Sequence, residues 1–429
     1  MQPKILKDAV AFAPIGEPVG NLSIGRGVVQ GLARNCYVAV VENKIASGSL
    51  GALECQRLAS LFMICMREKA ALVLYLDSAG AKVSEGHVAL GAFRKLFKQA
   101  LQLSAHNISV VTVLGTNCYG GASMLAQAGQ ICLFGAHTKL AMSGPSILAQ
   151  AAGADVFDAT FQAVAQAAIS GAARATQSTR NRALPATIDA KALAATLQNA
   201  FAEIAAEANW PQRRMDELQL RATKLTAPNA ATESFKRPDC DKLFPDGYHL
   251  EHQNEVAGVV FGTANYNGHA HDVIGVAAPG LRTLGNLGVP GAWAFAQRAH
   301  ALARDPSGKP CLILLDCESH STQLADEKPI LSAYLHHASQ ALLTLAHSRA
   351  AVQPGGLPCI VLNRAGGGVF VAFAAATKVA MVYQAQIQLL PASAINNILG
   401  NSSDAAVAFI DIQAAGVADE ELKIGYFTT

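Results

Sequence analysis

The sequence predicts an α/β protein with two parallel-sheet domains in one chain. Three observations carry this. Apolar strand-like runs alternate with helix-like segments. One irregular feature, a strand running into a glycine turn and then a small-residue helix, occurs twice. Between the two halves lies a proline-rich stretch without periodicity.

Taken in order, Gly27–Val29 and Cys36–Val41 read as short strands, separated from a helix over Ala52–Arg67 by the turn Ser47-Gly48-Ser49-Leu50-Gly51. Ala71–Leu76 is a buried strand ending in Asp77-Ser78-Ala79-Gly80-Ala81-Lys82, and Glu85–Leu103 is a helix. Val110–Leu114 is β-branched and apolar, and breaks at Thr116–Tyr119. A helix restarts at Gly120-Gly121-Ala122-Ser123. From about 149 to 225 the composition turns to Ala, Gln and Arg, which predicts a helical appendage interrupted at Ser170-Gly171 and Leu184-Pro185. Residues 1–225 thus form the first domain, 226–247 the linker and 248–429 the second domain.

The second half repeats the plan. Val256–Tyr266 and His271–Ala277 form a hairpin, Gly288–Arg304 a helix, and Cys311–Leu315 a strand ending at Asp316. A helix over Leu331–Ser348 leads to the strand Cys359–Leu362. The turn Asn363-Arg364-Ala365-Gly366-Gly367-Gly368 then opens a helix to Thr377. Each glycine turn follows a strand-end aspartate by one strand-helix unit.

Composition bounds the function. Hydrophobic residues make up 51% of the chain and charged residues 15%, so a large core is available. A net charge of +2 gives no motive for nucleic acid or an anionic membrane as partner. Nine scattered cysteines, odd in number and mostly in apolar runs, read as reduced core residues of a cytoplasmic protein. The histidines show no metal-ligand spacing; His336 and His337, as helix neighbours, point apart. No apolar run suits a signal peptide or a membrane span.

Paired glycines at a helix start leave peptide N–H groups unshielded, and the helix dipole adds positive potential there. Such groups suit an oxygen that turns negative during a reaction. A single Gly-Gly would equally serve close packing of helix on sheet; its recurrence after an aspartate in both halves favours the chemical reading.

These residues resemble a known family. DSAGAKVSEG, Asp77 to Gly86, is similar to the DSGGARxxEG segment of biotin-dependent acyl-CoA carboxyltransferase β domains and of the β subunit of biotin-independent malonate decarboxylase. SGSLG resembles that family's GGSxG turn and YGGASM its FGGMS. LAMSGPSILAQAAGADVFDA is similar to the decarboxylase β subunit's LGLNGPEVIEQEAGxEEFD. In the second half, FGTANYNGHAHDVIGVA, LILLDCESHSTQLADEK and AGGGVFVAFAAATKVAMVYQ track the decarboxylase γ subunit, including its DTxGQxxSRRDE segment. The chain resembles a fused β-γ pair.

The resemblance implies two crotonase-like (ClpP/crotonase) ββα-superhelix domains with an active site where they meet. It implies a malonyl thioester on an acyl carrier protein with a CoA-like phosphopantetheine arm, and an enolate held in a backbone oxyanion hole. No cofactor is permanently bound and no metal is needed. One donor N–H is expected from Gly80 or Ala81 and one from Gly120 or Gly121, with Gly367 and Gly368 forming a second hole. Ser47, Gly48 and Ser49 are expected to line the thioester pocket, although a serine in such a turn equally serves as a local cap. Ser143 and Ser146 flank Gly144-Pro145 where the family has Asn and Glu, and either contact the carboxylate or belong to a solvated loop. His137, His320 or water would return the proton. Arg174, Arg180, Arg182, Arg213 and Arg214 either hold the arm's phosphates or form a solvated face. Two departures stand out: Ala79 and Lys82 replace Gly and Arg, and Ser319 replaces the glycine of DTxG with no arginine pair after it.

The expected activity is decarboxylation of a malonyl thioester. The alternatives are a biotin-dependent carboxyltransferase and a non-catalytic scaffold that binds acyl carrier protein. Since family members assemble from paired halves, either a self-contained pair or a homo-oligomer of fused chains is expected.

Overall fold

The structure is a computed structural model that describes all residues except 33–35, 154–157, 208, 224–231, 254–257, 281, 307, 390–408 and 424–429. The chain divides into two compact units. The first comprises Met1–Glu85, Lys95–Leu220 and Thr322–Ala333; the second comprises Gly86–Arg94, Arg221–Ser321 and Tyr334–Thr429. Among the described residues no helix is long and apolar enough to cross a membrane.

The strands of the first unit are β1 (Ala13–Pro14), β2 (Leu22–Gly27), β3 (Cys36–Val41), β4 (Leu72–Ser78), β5 (Val110–Tyr119), β6 (Ile131–Phe134), β7 (Lys139–Ala141) and β8 (Asn181–Ala183). They form one sheet ordered β1-β2-β3-β4-β5-β6-β8, with β7 beside the far end of β5. An antiparallel pair, β2 and β3, is followed by parallel strands linked by the helices Ala52–Glu68, Gly86–Ala105 and Gly121–Ala126. This is the ββα succession expected for the fold. β3 and β4 are buried along their whole length, which is why they read as unbroken apolar runs.

The second unit contains β9 (Thr232–Ser234), β10 (Tyr248–Gln253), β11 (Val259–Tyr266), β12 (His269–Val276), β13 (Leu284–Leu287), β14 (Cys311–His320), β15 (Pro358–Gly366), β16 (Lys378–Val382), β17 (Gln386–Gln388) and β18 (Glu420–Leu422). Their order is β18-β16-β15-β14-β12-β11-β10-β9, with β13 on β14 and β17 on β15. Every pairing among β2 to β8 has its counterpart here. The antiparallel β2/β3 matches β11/β12, and the parallel β4/β5 matches β14/β15. The short additions correspond as well, β5/β7 to β15/β17 and β6/β8 to β16/β18. The duplication reaches irregular detail: register slips between Leu76 and Ser78 in the first sheet and between Leu315 and Cys317 in the second.

Three expectations are revised. The strand from Val110 does not break at Thr116 but continues to Tyr119, because the N–H groups of Thr116 and Asn117 bond to the Asp77 carboxylate and residues 117–119 pair with β7. Within the Ala-rich stretch read as an appendage, the helix Ala190–Ala206 buries Leu193, Leu197 and Phe201 in the same core as Val38, Val73, Tyr75, Val111 and Val113. Its apolar positions recur every four residues, and each fully buried side chain of this size contributes about 1.5–3 kcal/mol. The stretch read as a linker contains, among its described residues, β9 and the helix Pro238–Leu243; residues 226–231 lie outside the described part.

Candidate active site

Asp77 organises the first site. Its carboxylate oxygens accept the N–H groups of Thr116 at 2.9 Å and Asn117 at 3.0 Å, so the bulged end of β4 is tied to the far half of β5. Gly115 has to be glycine there, since a Cβ would lie 2.5 Å from the Asp77 carboxylate. Asp316 repeats the arrangement: buried at the register slip within β14, it accepts the N–H of Arg364 at 3.1 Å and pairs with Arg237. The strand-end aspartates of the sequence motif are therefore clamps holding two neighbouring strand ends in register.

Beyond Asp77 the chain turns through Gly80 at φ +97°, a conformation that favours glycine. The Ser47–Leu50 turn lies against it through three backbone bonds: Ala79 N–H to Ser47 O at 2.9 Å, Leu50 N–H to Gly80 O at 2.8 Å, and Lys82 N–H to Leu50 O at 2.9 Å. A Cβ on Gly48 would lie 2.1 Å from Asp77 O, so Gly48 permits the contact between turn and strand end. Asn21, with no signal in sequence, fixes the same turn by binding Ile45 O and Ser49 O. Ser47 and Ser49 thus sit in the wall beside Gly80, and the Ser49 hydroxyl is buried with no hydrogen-bond partner among the described residues.

The second wall is the start of the helix Gly121–Ala126. Gly120 adopts φ +54° and delivers the chain into it. A Cβ on Gly80 would lie 3.0 Å from Gly121 N, so the two strand ends meet face to face. The expected donors are now separated. The Gly120 N–H is committed to the carbonyls of Ala141 at 3.1 Å and Met142 at 3.2 Å, and the Gly80 N–H to Ser78 Oγ at 3.0 Å. Those two amides do not serve as donors to a ligand. Ala81 and Gly121 remain: among the described residues neither N–H bonds to an acceptor of another element, and Gly121 is the first residue of a helix that offers it no carbonyl.

Glu85, the acid of the DSAGAKVSEG motif, faces away from this chemistry. Its carboxylate caps the Ala52 N–H at 2.8 Å and pairs with Lys82 at 2.9 Å. A Cβ on Gly51 would lie 2.4 Å from it, which accounts for the glycine that closes the Ser47–Gly51 turn.

The remaining expected residues fall apart from one another. Ser143 is buried with its N–H on Glu327, whereas Ser146 is exposed on the first turn of the helix Pro145–Ala151. His137 is exposed on the turn between β6 and β7. Arg174 and Arg180 are neither phosphate-binding nor solvated: both are buried, Arg174 on Leu140 O, Glu327 O and Lys328 O, and Arg180 on Gln127 O and Gly129 O. Arg182 pairs with Glu203 and Arg213 with Glu207, while Arg214 donates to Gln127 O.

In the second unit, Gly367 takes φ +55° at the start of the helix Gly367–Ala374, matching Gly120. Gly368 follows, buried in its first turn. Ser319 and His320 stand where the first unit has Gly80 and Ala81. A Cβ on Gly367 would lie 3.1 Å from Ser319 Oγ and 3.3 Å from His320 Nδ1, so two polar side chains crowd this turn where the first has only glycine and alanine. No thiolate chemistry is set up at either turn: burial raises the Cys118 thiol well above its ordinary range and pushes Cys317 up to about 12.

Comparison with known proteins shows the family of the chain. The family described as carboxyl transferase domain matches residues 9–318. The carboxyltransferase subunit of propionyl-CoA carboxylase from Haloferax mediterranei is 26% identical over 169 residues, which is 39% of this chain and 32% of that protein. The malonyl-S-ACP:biotin-protein carboxyltransferase MADC of Malonomonas rubra is 25% identical over 96 residues, 22% of this chain and 30% of that protein. The chain thus spans about a third of the length of the curated relatives it matches. Among solved structures, a Pseudomonas malonate decarboxylase hetero-tetramer in complex with malonate aligns at 18% identity and a TM-score of 0.45, covering 53% of this chain and 91% of that one.

Proposed function

Because the chain belongs to the carboxyl transferase domain family, we propose that it decarboxylates a malonyl thioester carried on an acyl carrier protein or on CoA. The observation that carries this reading is the pair of uncommitted peptide N–H groups, Ala81 and Gly121, at two strand ends that meet around Gly80.

When the bond between the α-carbon and the carboxylate carbon breaks, its electron pair enters the thioester and carbon dioxide leaves. The negative charge collects on the thioester oxygen. Two fixed N–H donors, one backed by a helix dipole, lower the energy of that state without reorganising, and losing one such donor typically costs roughly 10²–10³ in kcat. A proton from solvent then completes the acetyl thioester at the α-carbon. Ser47 and Ser49 would line the thioester side of the pocket.

The second reading, transfer of the carboxyl group to or from biotin, is favoured by the names of the curated relatives, a propionyl-CoA carboxylase subunit and a biotin-protein carboxyltransferase. Both readings would place an oxygen at the Gly367 turn, the departing carboxylate in the first and biotin's in the second, and the Ser319 and His320 side chains lie close to that turn in either case.

The test is to incubate the purified protein with malonyl-CoA and with malonyl-loaded carrier protein, without biotin, and to follow the mass of the acyl thioester. Conversion to acetyl supports decarboxylation. An unchanged mass refutes it, and carboxyl loss only on addition of biotin would establish the second reading.

A further inference from the structure

Glu327 lies in Leu324–Glu327, a short helix of the first unit contributed by the second half of the sequence. Its side chain is fully buried. Oε1 accepts the Ser143 N–H at 2.9 Å, and the Met142 N–H faces the same carboxyl group. These are the N–H groups of the two peptide units whose carbonyls, Met142 O and Ala141 O, receive the Gly120 N–H. A relay therefore runs from Gly120 N–H through two peptide groups to one carboxyl group, and Gly120 leads directly into Gly121.

The charged groups around this carboxyl are few. Arg174, from the helix Gly171–Gln177, approaches to 3.8 Å, too far for a hydrogen bond, and its guanidinium is occupied by the carbonyls of Leu140, Glu327 and Lys328. Asp326 and Lys328 flank it on its own segment, and the helix Ala159–Ile169 and the run Leu140–Ser143 carry no titratable side chain. Oε2 has no hydrogen-bond partner among the described residues. Burial raises the acid to about 7 against the partial opposition of Arg174 and the two N–H groups.

We propose that Glu327 is a positioning residue for the Ala81/Gly121 donor pair. As a neutral acid it locks the two peptide groups on which Gly120 hangs, and once ionised it opposes the charge that gathers on the thioester oxygen. At an effective dielectric near 20, a like charge about 10 Å from a developing negative charge slows such a step about tenfold. The inference rests on the proposed decarboxylation for its kinetic readout.

The test compares wild type, Glu327→Gln and Glu327→Ala with malonyl-CoA between about pH 6 and 9. Wild-type kcat is expected to decline about tenfold as the acid ionises. Glu327→Ala should lower kcat with little change in KM. Glu327→Gln, which keeps the acceptor for Ser143 N–H and cannot ionise, should recover most of that loss and show no decline. A Glu327→Gln profile that falls as wild type does, or a Glu327→Ala enzyme with wild-type kcat throughout, overturns the proposal. A second readout needs no substrate: the amide resonances of Gly120 and Gly121 should titrate near neutrality in wild type and not in Glu327→Gln. Titration with no turnover would refute the proposed reaction and leave the relay standing; resonances that do not move would overturn the relay.

Discussion

Gly80→Ala probes the donor pair directly. The added Cβ would lie 3.0 Å from Gly121 N and 3.0 Å from Tyr119 O. An oxygen held by Gly121 has to sit about 2.7–3.1 Å from the same nitrogen, so methyl and oxygen compete for one place. The expected loss is that of one donor, roughly 10²–10³ in kcat, or about 3–4 kcal/mol in the barrier. Stability should change less. Placing alanine at φ +97° strains the backbone by about 1–3 kcal/mol, equivalent to a fall in melting temperature on the order of 2–10 °C for a unit of this size. The assay is release of carbon dioxide from malonyl-CoA, run beside a thermal melt. A folded Gly80→Ala protein with wild-type kcat would refute the argument, because the oxygen could not then lie against Gly121.

Three further outcomes are expected. Asp77→Asn keeps one oxygen acceptor where two N–H groups, those of Thr116 and Asn117, now bind a carboxylate; it should cost about 1–3 kcal/mol in a denaturant titration and lower kcat, since the strand ends lose their clamp. Glu327 makes stability fall with rising pH. An ordinary carboxyl near 4.5 releases its proton in the unfolded chain while the folded one keeps it to about 7, so about 3 kcal/mol should be lost between those values, and Glu327→Gln should abolish that loss in melts across the same range. Glu85→Ala removes the cap on Ala52 N–H and the partner of Lys82, and should destabilise the chain by about 1 kcal/mol in the same melts.

Much of the fold was legible because its signals are local. Fully buried strands such as Cys36–Val41 and Leu72–Ser78 are continuous apolar runs, and the glycine turns stand out by composition. What stayed hidden depends on contacts distant in sequence. The extension of β5 to Tyr119 needs the Asp77 side chain, 39 and 40 positions away from its two N–H partners. The strand Asn181–Ala183 is too short to show a period and exists only because β6 pairs with it. At the candidate site, sequence left two amides open at each turn, Gly80 or Ala81 and Gly120 or Gly121. Whether Gly120 or Gly121 offers its N–H depends on Ala141 and Met142, and Glu327 is a common acid in a polar run until the Ser143 bond is seen. Arginine in an alanine-rich helix reads as a solvated face, yet Arg174 is buried because three backbone carbonyls converge on it.

The duplication separates what the fold requires from what the reaction requires. Both units keep an aspartate at the bulged strand end, the register slip beside it and a glycine at positive φ entering the next helix, at Asp77 and Gly120 and again at Asp316 and Gly367. Features retained in both turns are accounted for by strand geometry alone. Among the positions at which the two turns differ, Gly80 and Ala81 correspond to Ser319 and His320. Gly80, at φ +97°, is favoured as glycine by its backbone conformation, whereas Ser319 and His320 are not among the residues at positive φ, so the two turns differ in backbone as well as in side chain. What backbone conformation does not account for is the small alanine at 81 where the second turn has His320, and in the proposed reaction a small side chain there leaves room for an oxygen against the Ala81 and Gly121 N–H groups. Gly80→Ser with Ala81→His should lower the melting temperature, since serine is strained at φ +97°, and should abolish turnover of malonyl-CoA by the protein that stays folded; retained turnover would refute an oxygen bound against Ala81 and Gly121.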